Sequence, residues 1–117
     1  MFKEHRIMRI KFKDEYFQPI VEGVKTQTMR MPHKRIEIKE DELAIAIFPT
    51  KPSLNLKITK VGYKYFKSIN DADAKREGFE SADDLKQVLK EIYKDYQILD
   101  SSRFYFYRFE YIGGLNE

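Results

Sequence analysis

The feature of the sequence that most constrains the fold is a long strand pattern, at residues 54–66, that changes phase halfway. Leu56 and Ile58 occupy alternate positions of one parity, whereas Val61 and Tyr65 occupy the other. Since successive side chains of a strand point to opposite faces, a β-bulge between the two sets would keep both on the inner face. Strands bent in this way are common in small closed β-barrels, so the pattern predicts a curved sheet.

Three further segments have strand patterns, at residues 7–12, 42–48 and 103–112. In the second, Leu43, Ile45 and Ile47 share one face, while Ala44 and Ala46 make the other face small enough to lie against another element. The third is aromatic on both faces. This is typical of a strand that is covered on both sides, so we expect it in the centre of the sheet.

Helix signals lie between these strands. A short helix after the first strand ends at Gly23, and a second runs from a cap at Asn70 or Asp71 to Gly78. Ser81 opens the third and clearest helix. Its apolar stripe has helical spacing and consists of Leu85, Val88, Leu89, Ile92, Tyr93 and Tyr96.

The elements therefore follow in the order strand, short helix, basic loop, two strands, two helices and strand. Regular βαβ alternation is missing, which favours a mostly antiparallel sheet. We predict a single domain over residues 1–117, of the α+β class, with a small curved β-barrel and flanking helices. A chain of 117 residues buries roughly two-thirds of its unfolded surface, so it needs no disulfide or metal for stability.

The composition narrows the classes of site and of location. There are no cysteines, and His5 and His33 are the only histidines, so we expect no structural zinc and no other cofactor. A phosphate-binding glycine loop and a nucleophile elbow are both missing from the sequence. No apolar run approaches the ~20 residues of a membrane span, and no signal peptide is recognisable, which predicts a cytoplasmic protein. Abundant Lys, Glu, Ile and Tyr are typical of thermophiles.

Charge is distributed unevenly, although the net charge is only +3. Between residues 24 and 36 stand four cations and no acid, namely Lys25, Arg30, Lys34 and Arg35. Such a patch favours phosphate binding. The alternative is a cluster of solvated surface charges with no ligand.

The run from Lys25 to Arg30 is the first candidate site. It offers a flexible cation, the hydroxyls of Thr26 and Thr28, and a guanidinium that can hold a phosphate or carboxylate bidentately. We expect this run to be a loop with some extended character. In an ideal strand Lys25 and Thr28 would point to opposite faces, so a shared pocket requires the backbone to turn between them.

Glu77 is the second candidate, because a carboxylate just before a glycine at a helix end can be directed inward. The alternative is a surface glutamate paired with Lys75 or Arg76. The aromatic side chains of the last strand could also stack nucleic-acid bases, although a core role is the more common one for such residues.

These features together resemble the ASCH domain, a relative of the PUA domain. Four matches span almost the whole chain: the helix end at residues 16–23, the Lys-Thr-Gln-Thr-Met-Arg run at 25–30, the Ala-Lys-Arg-Glu-Gly-Phe run at 74–79 with the helix after it, and the closing aromatic strand. The resemblance implies a small β-barrel with helices packed around a cleft, of which the basic segment forms one wall.

The resemblance also implies a function in RNA metabolism or translation, with RNA or a modified nucleoside as the partner. Nucleic-acid or substrate contacts would come from Thr26, Arg30, Lys34 and Arg35. One bacterial branch resembles amidohydrolases that deacetylate N(4)-acetylcytidine, and the matching catalytic positions here are Lys25, Thr28 and Glu77. An RNA- or nucleotide-binding domain is our first hypothesis and the hydrolase our second, while nothing in the sequence favours a protein-binding adaptor.

Overall fold

The structure, a computed structural model, describes residues 8–113. In this range the strands are β1 (Met8–Lys11), β2 (Gln27–Arg30), β3 (Leu43–Ile47), β4 (Leu54–Tyr65) and β5 (Arg103–Tyr111). The α-helices are α1 (Phe17–Val21), α2 (Asp71–Glu77) and α3 (Ala82–Ile92). None of these helices is long and apolar enough to cross a membrane.

All five strands form one sheet, in the order β1-β3-β4-β5-β2. Every neighbouring pair is antiparallel except β1 with β3, which is parallel. The prediction of a mostly antiparallel sheet with flanking helices is therefore confirmed. β5 lies between β4 and β2, so the aromatic strand is central to that end of the sheet, as expected.

The sheet is not closed into a barrel, which corrects the expectation from the sequence. β1 and β2 are its two edge strands, and within residues 8–113 no backbone ladder joins them. The edges nevertheless approach each other, because Nη2 of Arg30 on β2 donates to the carbonyl oxygen of Lys11 on β1 at 2.7 Å. The sheet thus curves far enough to bring its ends together, and a side chain spans the gap that a ladder would close.

The predicted bulge is present in β4. Its register with β5 shifts between Ile58 and Lys60. Before the shift the inward side chains are fully buried, but after it Tyr63 and Tyr65 are 46% and 38% exposed. Val61 is half-buried and packs against the apolar core, but the two tyrosines extend beyond that core, because β3 pairs with β4 only as far as Lys57 and leaves the rest of the strand beside β5 alone.

Two cores lie on opposite faces of the sheet. The first fills the curved sheet and includes Ile10, Ile20 and Leu56, together with the small Ala44–Ala46 face of β3. The second lies between the sheet and the helices, where Phe104 packs with residues such as Leu85 of α3. The alanine face is therefore the packed face, in agreement with the sequence.

The helix ends follow the sequence signals. The side chain of Asn70 accepts from the backbone N–H of Asp73 at the start of α2, and Gly78 ends that helix with φ of 91°. Ser81 caps α3 in the same way through its hydroxyl. α3 ends at Ile92, before the apolar stripe ends, and Tyr96 is left 51% exposed.

Candidate functional site

The middle of the basic segment, Gln27–Arg30, is an edge strand, where we expected a loop with some extended character. Gln27, Thr28 and Met29 lie on β2, pair with β5, and are each less than 7% exposed. On its other side this segment contacts α2, because the backbone N–H of Thr26 donates to the carbonyl of Arg76 at 2.7 Å. Neighbours on both sides therefore bury the polar side chains of Gln27 and Thr28.

Lys25 and Glu77 meet in the interior although 52 residues separate them. Nζ of Lys25 lies 3.0 Å from Oε1 of Glu77, and the side chains are only 4% and 5% exposed. The ammonium also donates to the carbonyl of Gln27 at 2.9 Å and lies 4.6 Å from the ring centre of Tyr16. A surface pairing of Glu77 with Lys75 or Arg76 is therefore not what this structure has.

The end of α2 explains why Glu77 points inward. Glu77 is the last residue of the helix, and Gly78 in the left-handed region reverses the chain so that Phe79 donates its N–H to the carbonyl of Ala74 at 2.8 Å. A residue with a β-carbon adopts such a backbone with strain, whereas glycine does not. This turn leaves the last side chain of α2 facing β2.

Gln27 extends the ion pair into a buried polar network. Its Nε2 donates to Oε2 of Glu77 at 3.3 Å, and its Oε1 accepts from Nε of Arg108 at 3.0 Å. Gln27 itself is fully buried. Both ends of the amide are therefore satisfied, which is what a buried polar group requires.

Two carboxylates of α2 have pKa values shifted in opposite directions. Burial raises the pKa of Glu77, and the charge and hydrogen bond of Lys25 oppose that rise only in part. Burial also acts to raise the pKa of Asp73, but the hydrogen bonds from Lys64 and from the backbone N–H of Asn70 lower it below its usual value. Nζ of Lys64 lies 2.6 Å from that carboxylate.

Arg30 and Thr28 form the neighbouring part of the site. Nε of Arg30 donates to Oγ1 of Thr28 at 3.3 Å, and its guanidinium lies 5.5 Å from the ring centre of Phe12 on the opposite edge of the sheet. Burial lowers the pKa of Arg30. Because the hydroxyl of Thr28 accepts this bond, its own proton remains available for donation.

A cleft of about 530 Å³ lies between the two sheet edges and α3. Lys25, Thr28 and Glu77 all line it, and so do Arg30 and Lys34. Lys25 precedes β2 by two residues and is not held in its alternation, which allows its side chain to share a cavity with Thr28. The sequence-predicted catalytic residues are therefore brought to one place.

The remaining two predicted binding residues do not line the cleft. Thr26 holds β2 in position through its backbone, since its carbonyl accepts from the N–H of Phe109 at 2.9 Å. Arg35 is exposed, and its guanidinium lies 4.6 Å from the ring centre of Tyr105.

Two residues that support the site, Gln27 and Asp73, had no functional signal in the sequence. Gln27 lies inside the basic run, but a neutral amide indicates no chemistry until its burial is known. Asp73 is part of the capping box of α2, and nothing in its local sequence indicates that it also forms an ion pair with Lys64. Across residues 8–113 no three His, Cys, Asp or Glu side chains come together as a metal-holding group.

Comparisons with known proteins give matches to solved structures alone. No family model matches the sequence, and no curated protein matches it either. A protein from Enterococcus faecalis V583 assigned to family model DUF984 superposes with a TM-score of 0.79 at 16% identity, over 97% of this chain and 80% of that one.

Two further structures are described as ASCH proteins. The ASCH domain from Lactobacillus crispatus matches with a TM-score of 0.69 at 13% identity, over 80% of this chain and 68% of its own. A mutant ASCH protein from Zymomonas mobilis matches with a TM-score of 0.63 at 16% identity, over 92% and 73%. These likenesses agree with the motifs at residues 25–30 and 74–79. The chain therefore has the fold of the ASCH domain.

Proposed function

We propose that the chain binds RNA, or a nucleotide unit of it, in the cleft between the sheet edges and α3. The observation that carries this proposal is that cations and exposed apolar side chains face one cavity of about 530 Å³. Phosphates bind to cations, while bases stack on aromatic surfaces. A volume between about 300 and 1,000 Å³ is typical of small-ligand sites. The ASCH fold supports the same class of ligand, since its members are regarded as RNA binders.

The cations lie on both edges of the sheet. Lys11 and Lys13 line the cleft from the β1 side, and Arg30 and Lys34 line it from the β2 side. A guanidinium has five N–H donors, so Arg30 can hold Thr28 and the carbonyl of Lys11 and still donate to a phosphate. A phosphate at this position would be contacted from two strands at once.

The apolar side of the cleft comes from α3 and the residues after it. Ile92 and Tyr96 line the cleft and are 44% and 51% exposed. The ring of His33 stacks on Tyr96, with centroids 4.3 Å apart. A base entering between these side chains and the cations would have its planar face against an aromatic or aliphatic surface.

RNA binding is tested with a labelled single-stranded RNA, by fluorescence anisotropy over a range of salt concentrations. Because each neutralised phosphate contributes a slope of about −0.7 in log K against log salt on a single strand, Lys34→Ala should weaken binding and reduce the slope by about 0.7. Lys60→Ala is the matched control, since Lys60 is exposed but outside the cleft lining. Salt-independent binding, or equal effects of both variants, would contradict the proposal.

Hydrolysis of an acetylated cytidine is the second candidate function. It is favoured by one observation, that Lys25, Thr28 and Glu77 line the same cleft. In this proposal the Thr28 hydroxyl attacks the acetyl carbonyl while its proton passes to the Lys25–Glu77 pair. The amide C–N bond then breaks, and the cytidine amine leaves with that proton. Water finally hydrolyses the acetyl ester of Thr28, which releases acetate and restores the hydroxyl.

The hydrolase is tested by incubation with N(4)-acetylcytidine and measurement of cytidine and acetate. Because Glu77→Gln keeps the size of the side chain but removes the carboxylate, turnover should fall by about 10²–10⁴-fold, as for the loss of a general acid–base group. Thr28→Ala should abolish turnover, while Thr28→Ser should retain part of it. Activity that survives Thr28→Ala would exclude the threonine ester. If the wild-type protein shows no turnover, the hydrolase proposal fails and RNA binding remains as the proposed function.

A further inference from the structure

A second exposed surface lies at the end of the β4–β5 pair that extends past β3. Tyr63 and Tyr65 point to one face of β4, and Tyr63 is the register partner of Tyr105 on β5. The ring centroid of Tyr63 lies 5.8 Å from that of Tyr65 and 5.9 Å from that of Tyr105. These three residues, with Arg35 and Arg103, are termed the tyrosine face.

Packing in the apolar cores accounts for only one ring of this cluster, since Tyr105 packs half-buried against the first core. Tyr63 and Tyr65 are 46% and 38% exposed and belong to neither core. Two guanidinium groups lie over the rings, Arg103 at 4.6 Å from the centre of Tyr63 and Arg35 at 4.6 Å from that of Tyr105. Exposed aromatic clusters of this kind mark interaction sites on protein surfaces.

The tyrosine face is continuous with the cleft. Arg30 lines the cleft and is the register partner of Tyr105 across the β2–β5 pair. Lys34 also lines the cleft, and the next residue in the chain is Arg35 of the tyrosine face. A chain that leaves the cleft on the β2 side therefore meets arginine first and then a row of rings.

We propose that the tyrosine face is a stacking surface for single-stranded nucleic acid, along which a strand continues from the cleft. Bases stack on aromatic rings and on guanidinium planes, and the same guanidinium groups attract phosphates. Guanidinium groups lie directly against the rings of this surface, and this combination of cations with aromatic rings matches a polymer of phosphates and bases better than an apolar protein partner. The route from the cleft rests on the RNA-binding function proposed above, whereas stacking on the tyrosine face does not.

The proposal is tested with two labelled RNAs, a dinucleotide and an oligonucleotide of about ten nucleotides, a length within the site sizes of single-strand binders. Tyr63→Ala should raise the Kd of the longer RNA by about five- to tenfold, as for the loss of one stacked base. It should leave the Kd of the dinucleotide unchanged, because the dinucleotide is held in the cleft. Tyr63→Phe keeps the ring and should bind as the wild type does.

Arg103→Ala gives an independent readout and should also weaken the longer RNA alone. Wild-type affinity of both alanine variants for the longer RNA would overturn the proposal, and so would an equal loss for both RNAs. A change in sedimentation-derived oligomeric state with unchanged RNA affinity would identify a protein interface instead. If Lys34→Ala leaves dinucleotide binding intact while Tyr63→Ala still weakens the longer RNA, the cleft function fails and the tyrosine face stands.

Discussion

At the scale of single residues, Glu77 connects the fold with the cleft. It ends α2, and its carboxylate lies 3.0 Å from the ammonium of Lys25 with both side chains almost fully buried. Removing one partner of a buried ion pair costs about 3–5 kcal/mol, because the other charge is left without compensation. The pair thus fixes α2 against the start of β2 and also determines the charge at the bottom of the cleft.

Glu77 and Asp73 should affect stability with opposite dependence on pH. The pKa of Glu77 is raised by burial in the folded state, so its contribution to stability is present below its unfolded value of about 4.3 and is lost as pH rises. The pKa of Asp73 is lowered, because the hydrogen bonds from Lys64 and the Asn70 backbone outweigh burial. Its contribution is present above its unfolded value of about 3.9 and is lost as pH falls.

Urea unfolding of the wild type, Glu77→Gln and Asp73→Asn between about pH 3 and pH 7 measures these contributions. The free energy of unfolding of the wild type relative to Glu77→Gln should decrease as pH rises. Relative to Asp73→Asn it should increase. Two profiles with the same sign of slope would show that the two carboxylates do not titrate as their surroundings indicate.

The sequence indicated residues that line the cleft better than the residues that support them. Lys25, Thr28 and Glu77 stand in short runs whose residue types and spacing are recognisable without coordinates. Gln27 is fully buried between Glu77 and Arg108. Its role depends on α2 lying against β2, a contact between distant parts of the chain that no local pattern encodes.

At the scale of elements, local sequence encodes the shape of β4, whereas the burial of β2 depends on contacts with distant parts of the chain. The bulge of β4 was visible because its apolar residues change parity, and the register shift lies between Ile58 and Lys60. The sequence of β2 predicts a loop with some extended character, because polar and apolar residues do not alternate along it. Alternation of polar and apolar residues indicates a strand with one solvent-exposed face, whereas both faces of Gln27–Arg30 are covered by other elements.

Gly62 permits close packing of β4 against β5. A β-carbon added at this position would lie 2.8 Å from Cζ of Phe106, which belongs to the core beneath the helices. Gly62→Ala should therefore destabilise the protein by about 1–3 kcal/mol, as is typical of an overpacked core. Thermal unfolding measures the loss, and adding Phe106→Leu should restore part of it. A Gly62→Ala variant as stable as the wild type would show that the ring moves aside freely.

At the scale of the whole molecule, the sheet curves until its two ends meet without pairing. Arg30 crosses the gap, with a hydrogen bond of 2.7 Å to Lys11 and its guanidinium over the ring of Phe12. The curvature followed from the sequence, through the bent β4. The open gap did not, because pairing of the two edges depends on strands of only four residues each, and a side chain connects these strands in place of a backbone ladder.

Arg30→Lys should loosen β1 without removing the charge. A lysine lacks the planar fork that reaches Thr28 and Lys11 together, and a hydrogen bond from a charged group contributes about 1.5–3 kcal/mol. Hydrogen–deuterium exchange at residues 8–11 should accelerate by about tenfold or more for a loss of that size. Arg35→Lys is the matched control, since Arg35 lies over Tyr105 away from β1. Unchanged exchange in β1 would show that the bridge contributes nothing to the edge.

Because the cleft lies at the gap between the two sheet edges, ligand binding there should raise the stability of the folded chain. A ligand in the cleft contacts both edge strands of the sheet, β1 and β2. It therefore connects two edges that no backbone ladder joins within residues 8–113. Any occupant that binds the folded chain alone raises stability in proportion to the logarithm of its concentration. The bound protein would consequently resist thermal unfolding better, and the residues that hold the ligand would be the ones that hold the two sheet edges together.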